Sequence, residues 1–366
     1  MTAFSGYLGV VDHDLMWSSA AVQAQVVADM VALGVKVHRC DLYASDLPDT
    51  GQVSTWCAQL RAAGIQPFPV VTFPSLPVSA TIIPNLVELC RAVPGLWIEW
   101  GNELEYASPT IDPAAYVAQL AEVCSAVYAA DPTALVGPSP VANINAGGSG
   151  WNWDAACYKA GLAQVPIKFK PFHGYPYPNW LAPTVPWAGG DSTETLIPKY
   201  QAQCNAWGNK APYWATEVGY QSPGPNTSNM TDALQAEYLV QLLTDIQAYN
   251  LPVVCIYELG DGGGQTYGLM TENWTAVKPA YTAIQQAFAP VAENYQQLYQ
   301  TARAHVVNRL SGWQGEAAQI TAWLAANPKL AGKAEVSQIL GWLNNQILIE
   351  QTWLKSQPVT LTQKEK

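Results

Sequence analysis

The strongest constraint on this chain is a repeated alternation. Short apolar, β-branched runs recur eight times, and each is followed by a longer stretch of helical periodicity. The runs begin near Tyr7 (YLGVV), Val35 (VKVHRC), Ile65 (IQPFPVV), Leu96 (LWIEW), Ala134 (ALVGP), Ile167 (IKFKPF), Pro212 (PYWATE) and Pro252 (PVVCIY). Between them, segments such as AAVQAQVVADMVALG and AAYVAQLAEVCSAVYAA repeat apolar residues at i, i+3, i+4 and i+7, the helical period. Gly34, Gly64, Pro94-Gly95 and Pro132 close helices ahead of strands, since glycine and proline end helical runs. The strand runs are apolar on both faces, as in parallel strands covered by helices. Eight such units predict a (β/α)₈ TIM barrel over residues 1–289. The competing doubly wound sheet would open on a glycine-rich phosphate turn, and GYLGVVDHD is not one.

The pattern changes after the barrel. Apolar stripes at helical spacing (Tyr295, Leu298, Ala302, Val306, Leu310; then Val336, Ile339, Leu343, Ile347, Leu354) predict a helical hairpin or small bundle over 290–358, broken at Asn327-Pro328. Residues 359–366 read as a flexible tail. The appendage is either packed on its own barrel or a homo-oligomerisation or assembly-docking element. Its glutamines and asparagines do not fit a clean coiled coil.

Composition excludes several functions. The 366 residues carry a net charge of −11 and no Lys/Arg cluster, so a nucleic-acid partner is not expected, nor is an anionic membrane surface. No apolar stretch is long enough to span a bilayer. The opening MTAFSGYLGVV is not a secretory signal, which leaves a cytoplasmic location or non-classical release, virion association included. The seven cysteines are scattered, odd in number and without a CxxC pair, against a disulfide framework or a structural zinc site. No cofactor or metal is expected. With 15 Trp and 18 Tyr, rings are available both for core filling and for stacking on sugars.

Barrel chemistry belongs at the C-terminal ends of strands. The fourth run ends LWIEWGNELEY and the seventh ends YWATEVGY, which put Glu103 and Glu217 on one rim. Two rim carboxylates are the minimum equipment of glycoside hydrolysis, one as proton donor and one as nucleophile or base. Glu99 alternates with Gly101 and Glu103 and points inward, as a buried acid paired with a cation. Glu105 reads as loop surface and His38 as a satisfied core residue. Asp12, Asp41 and Asp261 are further rim acids. His13, ending the first run, is either a substrate contact or a loop histidine, and Trp180 lies on a long loop where it could stack on a sugar.

These motifs resemble glycoside hydrolase clan A, the retaining β-glycosidase barrels, most closely family 39 with its β-xylosidase-like members, and family 5-like members next. The resemblance rests on NE at Asn102-Glu103, VKVHRCDLY with Arg39, the DP turn and VGP strand, FHGYPY with His173 and Tyr175, TEVG at Glu217, and KPAY, in that order over roughly residues 5–288. It implies Glu103 as acid/base, Glu217 as nucleophile, Asn102 on the sugar 2-hydroxyl, Tyr175 touching the nucleophile, His173 lining the −1 site and Arg39 holding Glu217 ionised. The clan often has a tryptophan ending strand eight. CIYELGDG has Tyr257 in that place and adds Glu258 as a third carboxylate. The implied activity is retaining hydrolysis of β-linked oligo- or polysaccharides. The alternative is a carbohydrate-binding or structural module of a larger assembly.

Overall fold

The computed structural model describes residues 6–47, 50–107, 110–176, 181–186, 191–223 and 230–288, together with residues 314, 318, 321 and 322. The chain divides into two compact units, Met1–Ala289 and Pro290–Lys366. The predicted hairpin and tail, and Trp180, lie outside the described residues apart from those last four, which are helical and exposed.

The first unit is a (β/α)₈ barrel. Its strands are β1 (Tyr7–Asp12), β2 (Val37–Tyr43), β3 (Gln66–Thr72), β4 (Trp97–Trp100), β5 (Leu135–Pro138), β6 (Lys170–His173), β7 (Tyr213–Val218) and β8 (Val253–Ile256). The helices are α1 (Ala20–Leu33), α2 (Thr50–Ala62), α3 (Ile82–Ala92), α4 (Pro113–Ala130), α5 (Ser149–Lys159), α6 (Thr193–Ala206), α7 (Asp232–Asp245) and α8 (Pro279–Phe288). Local chemistry sets their ends. Ser19 caps α1 and Gly34, at φ 82°, stops it. Asp112 caps α4 ahead of a proline in its first turn, and Ser192 with Thr195 forms a capping box on α6.

The strands run parallel in the order β5-β4-β3-β2-β1-β8-β7-β6. At the seam between β5 and β6, Lys168 N donates to Val136 O (2.9 Å) and His173 N to Val141 O (3.0 Å). One core layer fills the space between strands and helices, including Val10, Leu42, Val71, Ile98, Val136 and Ile256. A second cluster holds Val11, Val37, Phe68, Phe169, Trp214, Val253 and Cys255. Phe68 on β3 and Trp214 on β7 are not on neighbouring strands, yet their ring centroids lie 5.6 Å apart. Such contacts pass through the barrel interior, so this cluster is its floor. All seven cysteines are buried and free, serving as small hydrophobes. Among the described residues no helix is long and apolar enough to cross a membrane.

Candidate active site

Above the aromatic floor the inward positions become charged. Arg39 on β2 is fully buried, and its guanidinium reaches three neighbours. Nε donates to Glu99 Oε2 (2.8 Å), Nη1 to Glu217 Oε1 (2.5 Å) and Nη2 to Asn102 Oδ1 (2.8 Å). Two buried carboxylates thus share one cation, which satisfies charges that would otherwise be very costly to bury. Burial pushes the Glu99 pKa up to about 7 against the pull of Arg39.

Glu217 points into the barrel because β7 carries a bulge. Phe172 pairs with Ala215, but the next residue, His173, pairs with Glu217. On the other side Ala215 pairs with Val254 and Val218 with Ile256. β7 therefore holds one residue more than its neighbours, which resets the in–out alternation and re-aims a side chain. Trp214 already faces the floor, so strict alternation would turn Glu217 toward the helices. Immediately after it, Gly219 passes so close to Tyr257 O that a Cβ would lie 2.2 Å away, which explains the glycine of the TEVG motif.

Glu103 arrives by another route. Gly101 leaves β4 at φ 94°, and Glu103 sits in the left-handed region at φ 47°, an uncommon conformation for a residue with a side chain. Its carboxylate reaches His173 Nδ1 (2.5 Å). His173 Nε2 faces Arg39 Nη2 at 3.5 Å. Arginine only donates, so Nε2 accepts and Nδ1 carries the proton toward Glu103. His173 stays neutral, its pKa pushed down to about 3 by burial. Burial raises the Glu103 pKa to about 7, outweighing Arg39. Tyr175, two residues beyond β6, donates to Glu217 Oε2 (2.5 Å).

These groups open onto a cavity of about 630 Å³ lined by His13, Asn102, Glu103, Tyr175, Glu217 and Tyr257 among others. Three residues expected at the substrate lie beneath it instead. Arg39 and His173 are fully buried and Glu258 is 2% exposed. The H-x-Y alternation turns both His173 and Tyr175 inward, but the histidine sits one layer lower, where it orients Glu103. Glu258, pushed up to about 8 by burial, lies 3.7 Å from His13 Nε2. The amide oxygen of Asn102 is occupied by Arg39, so its NH₂ is the end offered to the cavity.

Several side roles differ from expectation. Glu105 is no loop-surface acid: it accepts from Ala142 N (2.7 Å) and pins the loop after β5. His38 faces the helices but is not satisfied. Both its ring nitrogens are buried without a hydrogen-bond partner, and it packs edge-on against Trp56. Asp12 accepts from Leu15 N and Trp274 Nε1, and Asp261 holds Lys278 of the KPAY motif. Tyr106, Asn143, Asn145, Gln265 and Tyr267 also line the cavity. Sequence reasoning missed them because they stand on loops whose approach is set by distant contacts. The alternation of Asn143 and Asn145 directly after the fifth strand was the only signal available.

Donor atoms of Glu103, His173 and Glu217 lie within 4.8 Å of one another, close enough to share a metal ion. The donor set does not fit one well. Arg39 already pairs with Glu217 and adjoins His173, so a cation would enter against a fixed positive charge.

No known family profile matches the sequence, and no curated protein matches it by sequence. Solved structures do. The catalytic domain of a mannanase from Streptomyces sp. SirexAA-E aligns at 14% identity and TM-score 0.52, over 77% of this chain and 84% of that one. Xylanase 10B from Thermotoga petrophila RKU-1, in complex with xylobiose, aligns at 13% identity and TM-score 0.55, over 78% and 95%. A glucosidase from Croceicoccus marinus aligns at 15% identity and TM-score 0.56, over 72% and 62%. At these identities the likeness establishes the (β/α)₈ fold.

Proposed function

We propose that the barrel is a retaining glycoside hydrolase of the clan its motifs resemble, cleaving β-glycosidic bonds of a neutral oligo- or polysaccharide. The observation that carries the reading is a close pair of carboxylates in unlike surroundings. One oxygen of Glu103 and one of Glu217 lie within 4.8 Å of each other, both against His173 Nδ1, at 2.5 and 3.4 Å. Retaining enzymes hold their two carboxyl groups about 5–5.5 Å apart, whereas inverting ones need roughly 6.5–9.5 Å to admit a water. Glu217 accepts from a guanidinium and a phenol, which fix its carboxylate in place as the nucleophile. Glu103, raised to about 7, carries a proton to donate near neutral pH. The barrels aligned above are named as mannanase, xylanase and glucosidase, which adds support of the same kind.

In this reading Glu217 attacks C1 while Glu103 passes its proton to the departing glycosidic oxygen. The resulting ester to Glu217 is then hydrolysed by a water that gives its proton back to Glu103, and Glu217 leaves as carboxylate. Asn102 NH₂ meets the 2-hydroxyl. Among the described residues the charged groups lining the cavity are Glu103, Glu217 and His13, with no lysine or arginine among them to receive an acidic sugar. The test is hydrolysis of a panel of aryl β-glycosides and β-glucans by the full chain. Activity lost in Glu217→Ala and regained with azide, with product of retained configuration by NMR, is expected. An inverted product, or undiminished activity in Glu217→Ala, overturns the assignment.

A further inference from the structure

The catalytic pair forms one side of the cavity. Beside Glu217, at the ends of the neighbouring strands β8 and β1, lies a hydrogen-bonded chain with no part in the proposed bond cleavage. His13, just past β1 and with its side chain 34% exposed, places Nδ1 2.7 Å from Asp41 Oδ2. Its Nε2 lies 2.9 Å from Tyr257 OH and 3.7 Å from Glu258 Oε2. Tyr257 OH lies 3.2 Å from Gln265 Oε1. Gln265 closes a tight turn: its N–H donates to Gly262 O (2.8 Å), across Gly263 and Gly264 at φ 58° and 77°. The base of this loop is anchored separately, where Asp261 accepts from Gly268 N (2.7 Å) and from Lys278 Nζ (3.1 Å). Thr266 is tied to the segment after β7, its O accepting from Ser222 N (2.9 Å) and its hydroxyl donating to Pro223 O (2.9 Å), and the side chain of Gln265 ties the Gly263-Gly264 tip to Tyr257. Tyr257, Gln265 and Tyr267 all line the cavity.

We propose that His13 is a positioning residue: donating through both ring nitrogens, it aligns Tyr257 and, through it, latches the Gln265 loop tip as part of the wall of the cavity that Glu103 and Glu217 also line. A carboxylate can only accept, so His13 Nδ1 carries a proton whatever the charge of the ring. When Nε2 also carries one, the Tyr257 hydroxyl accepts from His13 and its own proton goes to Gln265 Oε1. The amide NH₂ of Gln265 is then the end turned to the cavity, a donor for a glycan hydroxyl or ring oxygen. When Nε2 loses its proton, Tyr257 donates back to His13 and Gln265 has no donor to accept from.

The charged and titratable groups facing His13 are Asp41 from β2, Glu217 from β7, Glu258 just after β8 and Asp12 on its own strand. Burial disfavours the charged ring, but the hydrogen bond and charge of Asp41 outweigh it and raise the pKa to about 9. A raised histidine pKa means that the latch is made below that pH and released as pH rises through it.

The statement about glycan contacts rests on the glycosidase reading, whereas the latch does not. The first experiment is therefore hydrogen exchange of the full chain without ligand, corrected for intrinsic rates. In His13→Ala and in Tyr257→Phe the Gln265 amide, which closes the turn onto Gly262 O, should exchange about tenfold faster at pH 7, as loss of one hydrogen bond implies, while α8 and the strands are unchanged. Wild type should gain the same acceleration between pH 8 and pH 10, and neither variant should gain more. If Tyr257→Phe, which leaves His13–Asp41 intact, exchanges as wild type does, or if wild type has no step near pH 9, the latch is wrong. On whichever aryl β-glycoside the enzyme turns over, both variants should raise KM several-fold with kcat changed less; a loss confined to kcat also overturns it. Absence of turnover in wild type counts against the glycosidase reading and leaves the exchange result standing.

Discussion

The two ends of the barrel interior are built from the same strands and filled in opposite ways. At the floor, Trp97, Trp214, Phe68 and Phe169 interlock, with Phe169 and Trp214 stacked at 3.9 Å and 6°. That packing tolerates a buried Trp214 N–H with no partner. At the rim, Arg39, Glu99, Glu217, His173 and Glu103 occupy the corresponding inward positions, bound by hydrogen bonds rather than by ring contact. The floor gains stability from buried apolar area. The rim spends burial on charge, which shifts pKa values into the range where acid–base work is possible. Conserving the strand frame while exchanging its contents is how one fold separates stability from chemistry.

The comparison is testable by removing one member from each end. Glu217→Ala should lower kcat by roughly 10⁴-fold or more, as loss of a nucleophile does, while circular-dichroism melting shows a folded barrel. Trp214→Ala should cost about 3–5 kcal/mol of stability through the cavity it leaves, read from urea unfolding, with kcat of the folded fraction close to wild type. If Trp214→Ala abolishes kcat well below its melting temperature, the two ends are not independent. Tyr175→Phe removes one hydrogen bond to a charged group and should lower kcat about tenfold or somewhat more, without a matching change in stability. The smallest effect sharpens the electrostatic half of the contrast. Glu103 titrates near 7 in the folded protein against an ordinary value of 4.5, so the fold binds more protons than the unfolded chain in that window. Its contribution is present below pH 4.5 and lost as pH rises through about 7. Glu103→Gln should therefore melt a few degrees above wild type at pH 8 and alongside it at pH 4, while its activity is expected to be lost.

Much of this architecture was legible in the residues themselves. Eight strands, their order along the chain and the rim location of Glu103 and Glu217 follow from periodicity, turn residues and strand ends. These are short-range properties, which a linear reading carries. The glycines and caps at helix ends are local in the same sense. What could not be read is anything that depends on which strands face each other across the barrel. Arg39 lies 178 positions from Glu217 and His13 lies 244 from Tyr257, separations at which no local pattern constrains contact. The layer that drops His173 and Arg39 below the cavity, and the loop-borne Asn143, Asn145 and Gln265, belong to the same class.

Glu217, the proposed nucleophile, marks the boundary between the two kinds of information. The sequence by itself determined that a glutamate ends the seventh strand. Alternation counted from the inward Trp214 would have turned that side chain to the helices. Only the extra residue in β7, set by pairing with β6 on one side and β8 on the other, turns it inward to Arg39. Side-chain direction in a sheet is a property of register, and register is decided between strands, not within one.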